Sequence, residues 1–187
     1  MPRLTDPDTA SYPDDVRALL TSLPPDPMVR MLSHSAGTVK PFVQLAKALS
    51  TSLTLPARSR ELVILAVAEY TGSPFVAAQH TPMAQTAGVE ERTRQLIRDR
   101  RLDAPELSPA DRALLRFTAQ VVRQPRVDDE VFEQARAFLT DRELVEVLQL
   151  VGYYWSFGRV STTLDVEVTK IYGDQPVLNA PGDSESD

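Results

Sequence analysis

Two histidines and no cysteine frame the chemistry open to this chain of 187 residues. Without a thiol there is no cysteine nucleophile, no thiolate metal ligand and no disulfide. His80 is the more informative histidine. It falls on a helix predicted from Pro74 to Ala87, where its neighbours at helical spacing are Val76, Ala77, Met83 and Ala84, with Ser73 and Ala87 extending the stripe. Gln79, Gln85 and Thr86 occupy the opposite side of that reading. A histidine in an apolar stripe needs a hydrogen-bond partner, because an unpaired buried polar group costs roughly 1–3 kcal/mol. A carboxylate would fix its tautomer and raise its basicity, as a general acid/base requires. Glu61 and Glu69, at the two ends of the run Leu62 to Ala68, are the carboxylates that could meet it. The structural alternatives are a hydrogen-bonded core histidine, a first-turn Glu61 paired with Arg58, and an exposed Glu69.

Other residues could bind rather than react. Arg159 is a candidate carboxylate clamp. Tyr153, Tyr154, Trp155 and Phe157 form an aromatic cluster that suits a pocket wall, a subunit contact or core packing. His34 lies at an expected helix–loop junction, where a cap or surface role is the alternative to ligand contact. Arg92, Arg94, Arg98, Arg100 and Arg101 alternate with Glu90, Glu91, Asp99 and Asp103. That pattern fits a solvated, ion-paired helix better than a nucleic-acid surface. No phosphate-cradling glycine loop and no metal-ligand spacing occurs, so no cofactor and no metal is expected.

The elements that must position these residues read as helices throughout. Proline-punctuated residues at the start suggest an arm with one or two short helices, including Val16, Leu19, Leu20 and Leu23. From Met28 to Leu49 the pattern predicts two short helices interrupted near Gly37 and Pro41. The run from Leu62 to Ala68 is apolar on every side and is closed by Thr71-Gly72, which predicts a central helix over a competing strand. Ser73-Pro74 then opens the helix of His80, and Gly88 closes it. Further helices are predicted at Glu90 to Asp99, from Ser108-Pro109 to Arg123 and from Asp128. The last follows the capping box Thr140-Asp141-Arg142-Glu143 and is expected to reach Ile171.

This length suits one filled core. The formal charge is −6, but Asp174, Asp183, Glu185 and Asp187 supply four of those charges, leaving a body near neutrality. Residues 1–173 are therefore expected to form one domain with an N-terminal arm. Residues 174–187 are too polar to bury much apolar surface and are expected to be a disordered acidic tail. No secretory signal and no run of about 20 apolar residues is present, which predicts a cytoplasmic protein without membrane contact.

The strings Arg60-Glu61-Leu62-Val63-Ile64-Leu65-Ala66-Val67, Ala77-Ala78-Gln79-His80-Thr81-Pro82-Met83-Ala84 and Ala87-Gly88-Val89 resemble carboxymuconolactone decarboxylase and alkylhydroperoxidase D-like proteins. The resemblance implies an all-α domain built around a central helical hairpin, and a homo-oligomer (dimer, trimer or hexamer). It carries over Glu61 and His80 as catalytic positions. The peroxidase branch has cysteines where this chain has Ser73 and Val76, and neither can form a sulfenate or a disulfide. The implied function is a cofactor-free lyase acting on a small carboxylated lactone or enolisable acid. His80 would be its general acid/base, oriented by Glu61, with Arg159, Tyr153, Tyr154, Trp155, His34 and Ser73 as substrate-binding candidates. The alternatives are a non-catalytic ligand-binding oligomer and an atypical peroxiredoxin-like oxidoreductase.

Overall fold

The computed structural model describes residues 2–168, which form nine helices and no strand. The helices are α1 (Asp14–Ser22), α2 (Pro27–Ser33), α3 (Ala36–Thr51), α4 (Ala57–Thr71), α5 (Pro74–Thr86), α6 (Glu91–Arg98), α7 (Pro109–Arg123), α8 (Asp129–Arg136) and α9 (Asp141–Thr163). The all-α expectation holds. Residues 174–187, where the tail was expected, lie outside the described residues.

Helix α4 is the axis of the fold and packs against α5, α6, α7 and α9. Every residue from Leu62 to Ala68 is buried, so a helix that is apolar all round is surrounded by its own chain. Gly72 ends α4 in the left-handed conformation at φ +65°, and Ser73 N–H donates back to Ala68 O at 2.9 Å. The Ser73 hydroxyl then accepts from Val76 N–H at the start of α5. One glycine and one cap thus make the tight hairpin that folds α5 back along α4.

Helix α9 closes over this hairpin. Its capping box at Thr140 and Glu143 is formed as the sequence predicts. At the other end it stops at Thr163, short of the expected Ile171. Asp165 turns left-handed at φ +51°, and Val166 N–H reaches back to Ser161 O at 2.9 Å. Val166 packs on Met28, Met31 and Phe75 in a satellite core beneath α2. That burial rewards the turn more than another turn of helix would.

The interruption expected near Gly37 and Pro41 is also displaced. Helix α3 runs unbroken through Pro41, and the break lies one step earlier, at His34 and Ser35. Proline removes one N–H donor and crowds the carbonyl four residues back, which here belongs to Gly37, and burial of Val39, Val43 and Leu49 on one face holds the helix together. The arginines around α6 are ion-paired: Arg92 with Glu106, Arg94 and Arg98 with Glu91, and Arg100 with Glu69. No helix among the described residues is long and apolar enough to cross a membrane.

Candidate active site

The hairpin brings Glu61 of α4 against His80 of α5, with Glu61 Oε2 2.8 Å from His80 Nδ1. Glu61 is only 1 % exposed, and its other oxygen accepts from Arg60 Nε at 3.2 Å. Arg60 is held in turn by donation to Ser50 O at 2.8 Å. Burial pushes the Glu61 carboxyl up, but the charge and hydrogen bond of His80 together with Arg60 outweigh it and hold it below its ordinary range. An ionised Glu61 can only accept, so Nδ1 carries the hydrogen and Nε2 is left as the ring's proton-exchanging atom.

The other carboxylates take different roles. Arg58, a possible partner of Glu61, instead forks onto Asp111 at 2.8 and 3.1 Å and pins α4 to α7. Glu69 sits at the far end of α4 on Arg100, at 3.1 Å, and does not meet His80.

Aromatic rings enclose the pair. Tyr154 meets the His80 ring edge-on at 4.8 Å, Tyr153 packs against Tyr154 at 5.1 Å, and Phe42 stacks on Tyr153 at 4.5 Å. Burial raises both tyrosine hydroxyls above their ordinary range, and the charge of Glu61 adds to this at Tyr154. Tyr153 and Tyr154, with Phe75, Val76, Met83, Phe157 and Ala46, line a narrow cavity of about 50 Å³ that also receives His80, Gln79 and Asp26. A cavity needs about 10–15 Å³ of occupied space to hold one water, so this one admits water. The described lining has no serine, threonine or lysine. Its only hydroxyls are those of Tyr153 and Tyr154, which burial keeps protonated.

The predicted binding residues separate into two groups. Tyr153 and Tyr154 join His80 at the cavity. Ser73 is buried outside it, as the cap of α5 and against Ser161 Oγ at 3.3 Å. Arg159 lies on the surface with its guanidinium over Trp155, itself 43 % exposed, and reaches toward Thr71 O at 3.5 Å. His34 is exposed and bonds Thr5 O at 2.9 Å.

Two polar lining residues escape the sequence reading. Gln79 was placed on the side of α5 away from His80 but is buried and lines the cavity, because α5 is covered on more than one face. Asp26 was passed over within the proline-rich arm. Its visible signal is a helix start, Asp before Pro27, and it does cap α2 by accepting from Met28 N–H at 2.7 Å. Nothing local marks it as facing His80's cavity. No group of three or more His, Asp or Glu side chains able to hold a metal ion is formed among the described residues.

The segment that holds this Glu–His pair is matched by a family model over residues 37–120. Those residues belong to the carboxymuconolactone decarboxylase family. Both members of the pair fall inside the decarboxylase-family segment, whereas Asp26, Tyr153 and Tyr154 lie outside it. No curated protein sequence matches the chain. Among solved structures, an uncharacterized peroxidase-related protein with an alkylhydroperoxidase AhpD core, from Ralstonia eutropha JMP134, is similar with TM-score 0.75 at 19 % identity, covering 94 % of this chain and 97 % of its own. A peroxidase-related protein from Silicibacter sp. TM1040 gives TM-score 0.75 at 15 % identity over 93 % and 95 %. A cysteine-to-alanine form of the debrominase Bmp8, in complex with 2,3,4-tribromopyrrole, gives TM-score 0.69 at 14 % identity over 90 % of both chains. These likenesses establish the AhpD-like fold of the decarboxylase-family segment and its flanking helices.

Proposed function

We propose that this chain is a cofactor-free acid/base enzyme of the lyase or isomerase type, with His80 as the group that takes up and delivers a proton. The observation that carries the reading is the 2.8 Å bond from His80 Nδ1 to a carboxylate that is almost fully buried, at the wall of an aromatic cavity. Glu61 fixes the tautomer and stabilises the imidazolium, so that Nε2 alternates between base and acid. In a decarboxylation, the carbon–carboxylate bond breaks to release carbon dioxide and leaves its electron pair on the substrate. His80 Nε2–H then protonates that carbon, and water restores the proton. In an isomerisation, the same nitrogen removes a proton from one carbon and returns it to another.

The cavity narrows the substrate class. A cavity of about 50 Å³ suits a small molecule, and a larger lactone acid would have to part the surrounding helices. Arg159, the clamp suggested for a carboxylated substrate, is engaged with Trp155 at the surface. A small, flat substrate held by the aromatic walls is better supported than a multiply charged acid. The debrominase that shares the fold is in complex with a flat ring, 2,3,4-tribromopyrrole, which agrees with a substrate of that shape. Exchange of carbon-bound hydrogen in heavy water, followed by proton NMR over a panel of small enolisable acids, lactones and ring compounds, tests the reading. Exchange or carbon dioxide release by the wild type that disappears in His80→Gln supports it, and equal rates in both proteins would sink it.

The cavity's size also favours a second reading, in which Arg60, Glu61 and His80 are a structural staple between α3, α4 and α5. It predicts loss of stability in His80→Gln without any activity to lose. We further propose a homo-oligomer acting on a small-molecule substrate in the cytoplasm, without nucleic-acid or membrane partners.

A further inference from the structure

We infer that Arg60 is a positioning residue of this site: seated between the end of α3 and the far oxygen of Glu61, it balances that buried carboxylate and so leaves Nε2 of His80 without a hydrogen, ready to act as a base. The inference deepens the proton-transfer reading and rests on it, since a reaction that begins by removing a proton needs that nitrogen free.

Arg60 precedes Glu61 on α4, and its side chain is 19 % exposed. Its Nη1 donates at 2.8 Å to Ser50 O in the last turn of α3, where carbonyls have no partner within the helix. Its Nε donates to Glu61 Oε1 at 3.2 Å, while Glu61 Oε2 faces His80 Nδ1 at 2.8 Å. One carboxylate thus joins a cation to an imidazole. A staple between helices needs the bond to Ser50, but it does not need a cation against a carboxylate that is 1 % exposed.

With Arg60 positive, Glu61 negative and His80 neutral, the triad carries no net charge. Without Arg60, the Glu61–His80 pair is a net anion in surroundings that strip away its hydration, and a buried group in that position takes up a proton instead. The proton has two places to go. On Glu61 it makes an acid that donates to Nδ1; on the ring it makes an imidazolium facing the carboxylate. Nε2 carries a hydrogen in both. Arg60 therefore lets the pair hold a single proton, on Nδ1, with Nε2 open.

Groups that reach the pair from the other elements do not replace that charge. Tyr153 and Tyr154 of α9 are kept protonated by burial, Gln79 of α5 is neutral, and Asp26 ahead of α2 is an acidic group. His80 and Arg60 are the groups that hold the Glu61 carboxyl below its ordinary range. The Arg60 charge is also felt at Tyr154, the ring set edge-on to His80, where it opposes that of Glu61.

Nitrogen NMR of the imidazole rings in the isotope-labelled full chain, at about pH 8 and so above the ordinary histidine value of about 6.5, tests this without any substrate. A ring nitrogen with hydrogen and one without differ widely in shift, and the chain has two histidines, so His34→Gln assigns the remaining signals to His80. Wild type should show Nδ1 protonated and Nε2 free. In Arg60→Gln, which keeps N–H donors but no charge, the free-nitrogen signal of His80 should be lost, and Arg60→Lys, which keeps the charge, should restore it. If Arg60→Gln does not fold, Arg60→Met, with an apolar stem and no charge, takes its place. A free Nε2 in the folded neutral variant, a protonated Nε2 in wild type, or Arg60→Lys behaving as Arg60→Gln would each overturn the inference. A role confined to the staple would lower the melting temperature of Arg60→Gln and leave the ring signals as in wild type, which also overturns it. Hydrogen exchange over the substrate panel separates this from the reading it rests on. Protonation of Nε2 that tracks Arg60, with no His80-dependent exchange, defeats the proton-transfer reading alone. His80-dependent exchange, with Nε2 unmoved in Arg60→Gln, defeats this inference alone.

Discussion

Glu61 is the residue on which site and stability meet, because its ionised oxygens hold Arg60 on one side and His80 on the other. Replacing His80 or Glu61 by glutamine keeps polarity and removes the titrating group, so turnover should fall about 10²–10⁴-fold. The double variant should lose little more than either single one, since groups acting as a unit are not additive. Stability should show the same coupling through pH. The Glu61 carboxyl lies lower in the folded chain than its ordinary 4.5, so the unfolded chain binds its proton first as acid is added. The stability it contributes is fully present above that value and fades as pH falls through the lower, folded one. Urea unfolding between about pH 5 and pH 3 should therefore steepen less with acid in Glu61→Gln than in wild type. An identical acid limb in the two proteins would show that Glu61 is not the titrating contributor. Where the resemblance to the peroxidase branch would place cysteines, Ser73 caps a helix and Val76 lines the cavity. Hydroperoxide consumption with a dithiol reductant should match the buffer blank, and turnover by protein freed of trace metals would contradict this.

Among the helices, α9 depends on one close approach. A Cβ built on Gly158 would lie 3.1 Å from Ser73 Cβ and 3.5 Å from Thr71 Oγ1, at the turn of the α4–α5 hairpin. Ser73 cannot easily yield, because its Cβ is fixed to backbone that caps α5. Gly152, on the same helix, has nothing within 4 Å of that position. Alanine is the better helix former by about 0.5–1 kcal/mol, so Gly152→Ala should gain about that amount. Gly158→Ala should instead lose stability, since overpacking costs about 1–3 kcal/mol. Denaturant midpoints of the two variants check the contrast, and a Gly158→Ala variant as stable as Gly152→Ala would show that the helices slide apart freely. Glu146 performs the matching task at the other end of α9, accepting from Thr54 N–H at 3.0 Å and Leu55 N–H at 2.8 Å just before α4.

For the whole molecule, the argument for assembly moves from the core to the surface. The all-apolar run of α4 is covered within the chain and needs no neighbour. Leu45 and Val145, 44 % and 53 % exposed, instead line one groove between α3 and α9, and Trp155, Phe132 and Phe138 are also exposed. Apolar surface of this kind is a common mark of association. Light scattering at micromolar concentration should give a mass at least twice the 20.7 kDa of the chain, and Val145→Glu should reduce it. A monomeric wild type would count against assembly through this groove.

Much of this protein is written locally. The helices around Glu61 and His80, their caps at Gly72, Ser73 and Thr140, and the exclusion of thiol chemistry follow from residue types and spacing, because capping and left-handed turns act within a few residues. The resemblance singled out Glu61 and His80 for the same reason, since both lie within one short segment of chain. Other features were settled only by packing. Glu61 rather than Glu69 meets His80 because the hairpin folds the start of α4 onto the middle of α5. Helix α3 survives Pro41 because its face is buried, and α9 stops early because Val166 gains a satellite core. Asp26 and Gln79 reach the cavity because α2 and α9 cover sides of α5 that its periodicity leaves open, whereas Arg159 and Trp155 stay outside. Such choices depend on which surfaces are buried together, and a single sequence records the surfaces but not their pairing.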